Sequence, residues 1–173
     1  MYNSFIMPRL LQIAQLGNHF LREKAKLVPV VTTPNIQELI DDMIATVMDV
    51  DGVGLAAPQI YELHQIFIMA SHPNPRYPFA PRMKPAAMIN PKITSHSWEK
   101  EKDWEGCLSI PGVRAIVSRF TTIEVEYFDR SGKKIETHFD HFLARIFGLS
   151  KVLRWFLPLF RCQKVGYQNT AFC

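Results

Sequence analysis

Cys107 lies in the segment WEGCLSIPGVRA, residues 104–115, among side chains that could support chemistry. A cysteine at such a position can be a small buried side chain, a nucleophile or a metal ligand. Glu105 before it and Ser109 after it bring polar groups to the thiol, and Gly106 permits close approach of another backbone. These neighbours shift the balance from a buried filler toward a functional cysteine.

A second segment, GVGLAAPQI at residues 52–60, consists mostly of small residues. They leave the backbone bare ahead of Gln59, whose amide could donate a hydrogen bond to an oxygen that develops negative charge. The structural alternative is that small residues allow a helix to pack closely on a strand. For this segment alone, the sequence leaves both interpretations open.

Together, GVGLAAPQ at 52–59 and EGCLS at 105–109 resemble the first two motifs of the peptide deformylases. The resemblance extends over residues 8 to about 147, including IPGVRA to Arg114, INP at 89–91 and a hairpin at 121–136. It implies an α+β fold, in which antiparallel sheets pack around a C-terminal helix and one further helix lies near the N-terminus. It also implies a metal-dependent hydrolase that removes the formyl group from the N-terminal methionine of new polypeptides.

The resemblance assigns catalytic roles to three residues. Cys107 would ligate a divalent metal, iron(II) in many of these enzymes, with zinc and nickel as alternatives. Gln59 would hydrogen-bond the metal-bound water and the oxyanion, and the Leu108 amide would face the formyl oxygen. The chemistry is consistent, since a thiolate-held metal with an open position activates water near neutral pH.

The resemblance also implies a substrate groove. Gly54 and Gly106 would offer backbone hydrogen bonds to an extended peptide, and Val53 would lie near the methionine pocket. Glu105 and Arg114 would support the site from behind. The implied partners are formyl-methionyl nascent peptides and the ribosome that carries them.

The third motif of the family, HExxH on a helix, is absent from this chain. In the family it directly follows a stretch like FLARIF, which here occupies residues 142–147 and is followed by GLSKVLRWFLPLFRC. No histidine occurs after residue 141, and no Asp or Glu after residue 140. The motif supplies two metal-binding histidines on one helix face and a glutamate for proton transfer. We therefore expect little metal binding and impaired catalysis.

His138 and His141 are the candidates that could replace the missing ligands. They lie three residues apart at a strand-to-helix junction, and positions i and i+3 of a strand point to opposite faces. Asp140 lies between them, but no glutamate occupies the proton-transfer position. We expect both histidines to be polar residues at the end of a strand.

Composition places the chain among globular proteins of a reducing compartment. Its three cysteines are an odd count without a close pair, which argues against a disulfide framework. The segment MYNSFIMPRLLQIAQLG lacks the features of a signal peptide, and no apolar run is long enough to span a membrane. We expect a cytoplasmic protein that binds no specific nucleic acid, because its body has no basic stripe interleaved with aromatic residues.

Hydrophobic periodicity predicts a helix, then a run of strands, then a final helix. Thr33 is expected to cap the first helix, with Pro34 at its first position and Gly52 as its stop. Six apolar residues at helical spacing predict its buried face: Ile36, Leu39, Ile40, Met43, Ile44 and Met48. Strands are predicted in QIFIMA, AMINPKITS, SWEKEKDW, VRAIVSRF, TTIEVEYFD and KKIETHF, and a proline-rich surface loop at 71–85.

The last 26 residues, 148–173, differ in charge from the rest of the chain. They contain four of the 20 Lys and Arg residues and no acid, so the other 16 balance the 16 acids of residues 1–147. A change of reading frame after Phe147 or natural divergence would both explain the switch. We predict a domain at 1–147 whose fold a helix from about 141 to 157 completes, ended by Pro158 and followed by a loosely held end.

Three functions are compatible with these observations. The chain could be a deformylase-family protein that keeps the substrate groove but has lost most of its activity. It could be a working hydrolase that recruits His138, His141 or a histidine of another chain. It could also be a non-catalytic module that binds formyl-Met peptides, or a partner or membrane surface through its basic apolar tail.

Overall fold

The computed structural model of the chain describes residues 7–152, with side chains described up to residue 148. The first long helix, α1, spans Pro34–Asp49, and the amide of Gly52 donates to the carbonyl of Val47 just after its end. Short 3₁₀ helices lie at His19–Arg22 and Ala57–Ile60. The last helix, α2, runs over His141–Val152. Among the described residues, neither long helix has the length and apolarity needed to cross a membrane.

Five antiparallel strands form the main sheet, in the order β1-β2-β3-β6-β7. Their bounds are β1 Gly54–Ala56, β2 Ile66–Met69, β3 Ala86–His96, β6 Thr122–Phe128 and β7 Lys134–Asp140. The two remaining strands, β4 Lys100–Cys107 and β5 Ile110–Phe120, pair only with each other as a two-stranded ribbon. The predicted α+β fold with two helices and antiparallel sheets is confirmed.

The main sheet lies between the two helices. Strand β2 is buried at every position, and its alternate side chains point to opposite faces. Ile66 and Ile68 belong to the core that α1 covers, whereas Phe67 and Met69 belong to the core that α2 covers. A strand that is covered on both faces requires a continuous apolar run rather than an alternating one.

Helix α2 carries the most deeply buried aromatic side chain of this second core. Phe147 is fully buried and lies edge-on to Phe67 with ring centroids 6.4 Å apart, and it also contacts the ring of Phe139. The prediction of a helix that begins at residue 141 is therefore confirmed up to Val152, and its burial in the core is confirmed up to Phe147. Its continuation to residue 157 and the loosely held end lie outside the described residues, and the division at residue 147 stays a prediction.

Two details of α1 differ from expectation. Thr33 occupies the cap position, but its hydroxyl lies 3.4 Å from the carbonyl of Val30 and makes no capping bond to the helix. Met48 is 42 % exposed, and Val47 is fully buried in its place. The helix therefore presents a face of Ile36, Ile40, Met43 and Val47, which follow one another at helical spacing, and Met48 lies one residue further round the helix.

Candidate active site

The two motif segments meet through the side chain of Gln59. Its Nε2 donates to the hydroxyl of Ser109 at 3.0 Å and lies 3.7 Å from the Cys107 sulfur. Its Oε1 accepts the amide N–H of Ala56 at 3.0 Å. Because a backbone N–H can only donate, this last bond fixes the amide orientation and directs the NH₂ group toward Cys107. The structure thus places the Gln59 amide beside Cys107. The expected roles of Gln59 as a donor to a metal-bound water and of Cys107 as a metal ligand stay predictions.

A segment near the N-terminus holds the two motifs at this distance. The amide of Ala14 donates to the carbonyl of Gln59 at 2.7 Å, and the amide of Leu16 donates to the carbonyl of Ser109 at 2.8 Å. One extended stretch therefore bonds to both segments. It fixes the separation of the Gln59 and Cys107 backbones independently of their side chains.

Glycine is required at Gly54 for packing. A Cβ there would lie 2.8 Å from the Phe67 ring and 3.1 Å from Ile146 of α2, so any larger residue would push the helix away from β1. Gly106 differs, since the nearest atoms to a Cβ would be 3.7 Å away. The structural interpretation of the small-residue segment therefore holds, because close packing at Gly54 brings α2 up to the pocket. The role of Gln59 as a donor to an oxyanion stays a prediction.

The site is a pocket between β1, the ribbon, α2 and the proline-rich loop. Its lining consists of Val53, Gly54, Gln59, Phe67, Arg76, Tyr77, Gly106, Cys107, Leu108 and Ile146. Apolar side chains form most of the wall, and the polar groups converge at Gln59 and Cys107. Such a pocket can hold an apolar side chain while the Gln59 amide donates to a carbonyl oxygen beside it.

Burial raises the pKa of the Cys107 thiol above its usual value, and hydrogen bonds involving Ser109 offset part of this effect. The thiol therefore stays protonated at neutral pH in this environment. Metal ligation requires the thiolate, which a bound cation would have to induce.

The residues that the structure describes do not assemble a complete metal site. No three His, Cys, Asp or Glu side chains among them converge on one point. Tight sites that use Cys and His need three protein ligands, and the pocket supplies Cys107 alone. The donor set therefore does not fit the metal that the family uses, and no chemical step is derived through it.

Neither candidate histidine is among the described residues that line the pocket. The His138 side chain is 70 % exposed on β7 and lies 3.7 Å from Asp140. The His141 side chain is 72 % exposed at the start of α2, and its Nδ1 lies 3.1 Å from Glu101. His138 is thus an exposed residue of β7, as expected, whereas His141 is the exposed first residue of α2.

Glu105 and Arg114, which were expected to support the site together, lie in different parts of it. The Glu105 carboxylate is buried and accepts two hydrogen bonds from Arg119 at 2.8 Å and one from Arg145 at 3.0 Å. Arg114 instead lies over the ring of Tyr77, with its Cζ 5.2 Å from the ring centroid. The support behind Cys107 thus comes from Arg119 and Arg145, and Arg114 belongs to the mouth of the pocket.

Three site residues were missed from the sequence: Arg76, Tyr77 and Arg145. The Tyr77 hydroxyl accepts the amide N–H of Gly106 at 3.0 Å, which is the backbone group expected to bind substrate. Nothing local in a proline-rich loop indicates such a contact. Arg145 did leave a signal, because it is the one charged residue in the apolar run FLARIF, and a buried charge needs a partner.

Comparison with known proteins agrees with this geometry. The sequence profile of the polypeptide deformylases matches residues 10–148. Peptide deformylase 2 of Nostoc sp. is 55 % identical over 140 residues, which cover 81 % of this chain and 78 % of the relative. Peptide deformylase 2 of Shewanella oneidensis is 41 % identical over 137 residues, covering 79 % and 75 %.

Solved structures give the same result for the fold. A Met-Ala-Ser-bound class I type b peptide deformylase from Acinetobacter baumannii matches with a TM-score of 0.82 and 38 % identity, covering 86 % of this chain and 94 % of that one. The peptide deformylase from Thermotoga maritima matches with a TM-score of 0.75 and 32 % identity, covering 84 % and 92 %.

Proposed function

Since this chain belongs to the peptide deformylase family, we propose that its pocket binds the formyl-methionyl end of nascent polypeptides while hydrolysis of the formyl group is strongly impaired. The family is metal-dependent and acts on such peptides. The observation that carries the proposal is the pairing of Gln59 with Cys107 in a pocket where no other metal-binding side chain is found among the described residues.

Substrate binding is supported by the arrangement of the pocket walls. Val53 and Phe67 offer an apolar surface for the methionine side chain, and Gly54 at the edge of the main sheet offers backbone groups to an extended peptide. The Gln59 NH₂ group is directed so that it can donate to the formyl oxygen, and we assign the second donor to the Leu108 amide. The Acinetobacter baumannii relative was solved with Met-Ala-Ser bound, which supports binding of a methionyl peptide by this chain.

Impaired hydrolysis is supported by the chemistry of the available groups. After Phe147 the chain contains no His, Asp or Glu, and its only thiols there are Cys162 and Cys173. Loss of a general acid/base alone typically costs about 10²–10⁴-fold in rate. We propose iron(II), with zinc and nickel as alternatives, as the metal that Cys107 would favour if further donors were supplied. We also propose that the chain acts in the cytoplasm and contacts the ribosome that carries the nascent peptide.

The test of peptide binding is calorimetry with formyl-Met-Ala-Ser and acetyl-Met-Ala-Ser. The formyl peptide should bind more tightly than the acetyl peptide. The substitution Gln59→Glu should weaken binding of the formyl peptide about tenfold, because it removes the amide donor but keeps the oxygen that accepts from Ala56. Gln12→Glu, at an exposed glutamine, is the matched control and should change nothing. Equal binding of both peptides would refute formyl recognition.

The test of impairment is a deformylation assay on the same peptide. The parent chain should show little turnover. The triple variant Leu149→His, Ser150→Glu, Leu153→His introduces an HExxH motif. Its three new side chains stand three, four and seven residues after Ile146, and positions with this spacing share one face of a continuous helix. Turnover by this variant alone would support the proposal. Turnover by the parent chain within about tenfold of an ordinary deformylase, abolished by Cys107→Ala, would overturn it.

A further inference from the structure

Two arginines flank the aromatic ring at the mouth of the pocket. Arg76 lines the pocket next to Tyr77, and Arg114 covers the Tyr77 ring from the ribbon. Both side chains are exposed. An extended peptide that left the pocket past Tyr77 and Gly106 would therefore pass beside these two cations.

These two arginines differ from four of the six other arginines within residues 7–148. Four arginines pair with carboxylates within 4 Å: Arg9, Arg119, Arg130 and Arg145. Over residues 7–148, Arg76 and Arg114 have no carboxylate at that distance. Asp51 has its carboxylate 3.7 Å from His72 and accepts from Arg76 through its backbone carbonyl. The mouth of the pocket thus carries two guanidinium groups that pair with no carboxylate among the described residues.

Both guanidinium groups are also held in place. Arg76 donates to the carbonyls of Val50 and Asp51 at 3.0 and 2.7 Å. Arg114 lies on the Tyr77 ring, which is itself fixed by its bond to Gly106 and by contact with Phe142 of α2 at 5.0 Å between centroids. The two arginine side chains are therefore ordered before a ligand binds, and this lowers the entropic cost of ligand binding.

We propose that Arg76 and Arg114 form a carboxylate clamp that makes the pocket select peptides with Asp or Glu in the two residues that follow the formyl-methionine. This inference rests on the proposed function, since it assigns a substrate class to the same pocket. A guanidinium presents paired N–H donors that match a carboxylate, and an extended chain advances about 3.3 Å per residue, so the next two side chains pass the mouth.

The test compares C-terminally amidated formyl-Met-Ala-Glu-Ser and formyl-Met-Glu-Ala-Ser with the same peptides carrying Gln or Lys. Calorimetry on the full chain should show about fivefold tighter binding of at least one Glu peptide than of its Gln counterpart, and weaker binding of Lys. High salt should reduce the preference. Arg114→Gln and Arg76→Gln should each reduce it, and the double variant should abolish it.

Arg82→Gln is the matched control, because it removes one positive charge from the same loop but does not line the pocket. It should leave the preference intact. If Arg76→Gln fails to fold, Arg114→Gln carries the test, since the exposed Arg114 guanidinium packs on the Tyr77 ring and makes no hydrogen bond among the described residues. Equal affinity for Glu and Gln, or an equal loss in Arg82→Gln, overturns the clamp.

The outcomes separate the clamp from the proposed function. Binding of the Gln peptides without a preference for Glu leaves the proposed function standing and removes the clamp. A Glu preference that persists when acetyl replaces formyl keeps the clamp and removes formyl recognition. Absence of binding by every peptide removes both.

Discussion

Arg145 of α2 donates to the carboxylate of Glu105 at 3.0 Å, and the two side chains are only 3 % and 5 % exposed. The same guanidinium donates to the carbonyl of Val117 at 2.8 Å and to that of Glu101 at 3.1 Å. One side chain of the helix therefore binds both strands of the ribbon. Glu105 lies two residues before Cys107, so this contact sets the position of the thiol relative to α2.

Loss of either partner should destabilise the fold strongly. Arg145→Met leaves Glu105 with Arg119 but also removes the hydrogen bonds from Arg145 to three ribbon carbonyls. Glu105→Gln leaves Arg145 and Arg119 facing a neutral amide. We expect each change to lower the free energy of unfolding by about 3–5 kcal/mol. Urea denaturation of the single and double variants measures the loss of unfolding free energy. The loss in the double variant should be smaller than the sum of the losses in the two single variants.

Arg130→Met is the control for this experiment. Arg130 pairs with Asp41 at 2.9 Å, but both side chains are about half exposed. Its loss should cost less than about 1 kcal/mol, because solvent screens the pair. Equal losses for Arg145→Met and Arg130→Met would show that the buried pair contributes no more than a surface one.

The sequence predicted the elements of the fold better than the contacts between them. Strand β2 and helix α1 were predicted because their burial follows local patterns, an unbroken apolar run and a helical repeat. The sequence also placed Gln59 and Cys107 in one site, through the two motifs that carry the family resemblance.

The mouth of the pocket was not predictable in the same way. Tyr77 reaches Gly106 from a loop with no regular hydrophobic period, and the two residues are 29 positions apart. Likewise, Glu105 was expected to act with Arg114, nearby in sequence, but it binds Arg119 and Arg145 instead. In the ribbon, residues at alternate positions share a face, so Glu105 and Arg119 face α2 while Arg114 faces Tyr77.

Asn90 should be critical for the link between β3 and the N-terminal segment. Its side chain donates to the carbonyl of Val28 and accepts from the amide of Val28, each at 2.9 Å, and its φ angle is +51°. Asn90→Ala removes both bonds and places an unfavoured residue at a left-handed position, so it should cost about 2–4 kcal/mol of unfolding free energy.

Asn90→Gly separates these two causes. Glycine adopts a positive φ angle without strain, so this variant should lose only the hydrogen bonds and be about 1 kcal/mol more stable than Asn90→Ala. Thermal denaturation of both variants gives the comparison. Equal stability of the Gly and Ala variants would show that the backbone conformation contributes nothing.

Glu126 should make stability depend on acidic pH. Hydrogen bonds from Lys134 and then Lys92 lower the pKa of its carboxyl group below the ordinary 4.5. The folded state therefore favours the charged form, so the stabilisation is complete above pH 4.5 and is lost as the pH falls through the lowered pKa.

Comparing the parent chain with Glu126→Gln by urea denaturation measures this contribution. The parent should be the more stable one at neutral pH, and the two curves should converge in acid. Glu38→Gln is the control, since Glu38 is exposed and has no ion-pair partner among the described residues. High salt should reduce the difference at neutral pH, because the Lys134 and Lys92 contacts are on the surface. A difference that grows on acidification would contradict the assignment.

The pocket should hold little divalent metal. The pocket brings Cys107 against the Gln59 amide, a group that binds a water or an oxyanion rather than serving as a tight ligand, and the buried thiol favours its protonated form. We therefore expect the chain, purified without oxygen, to hold far less than one equivalent of divalent metal after dialysis. Elemental analysis measures this, and the triple variant that introduces HExxH should retain about one equivalent. If the parent chain retains about one equivalent of iron, zinc or nickel and Cys107→Ala loses it, other donors complete the site. Retention that instead depends on Cys162 or Cys173 would locate those donors in the last part of the chain.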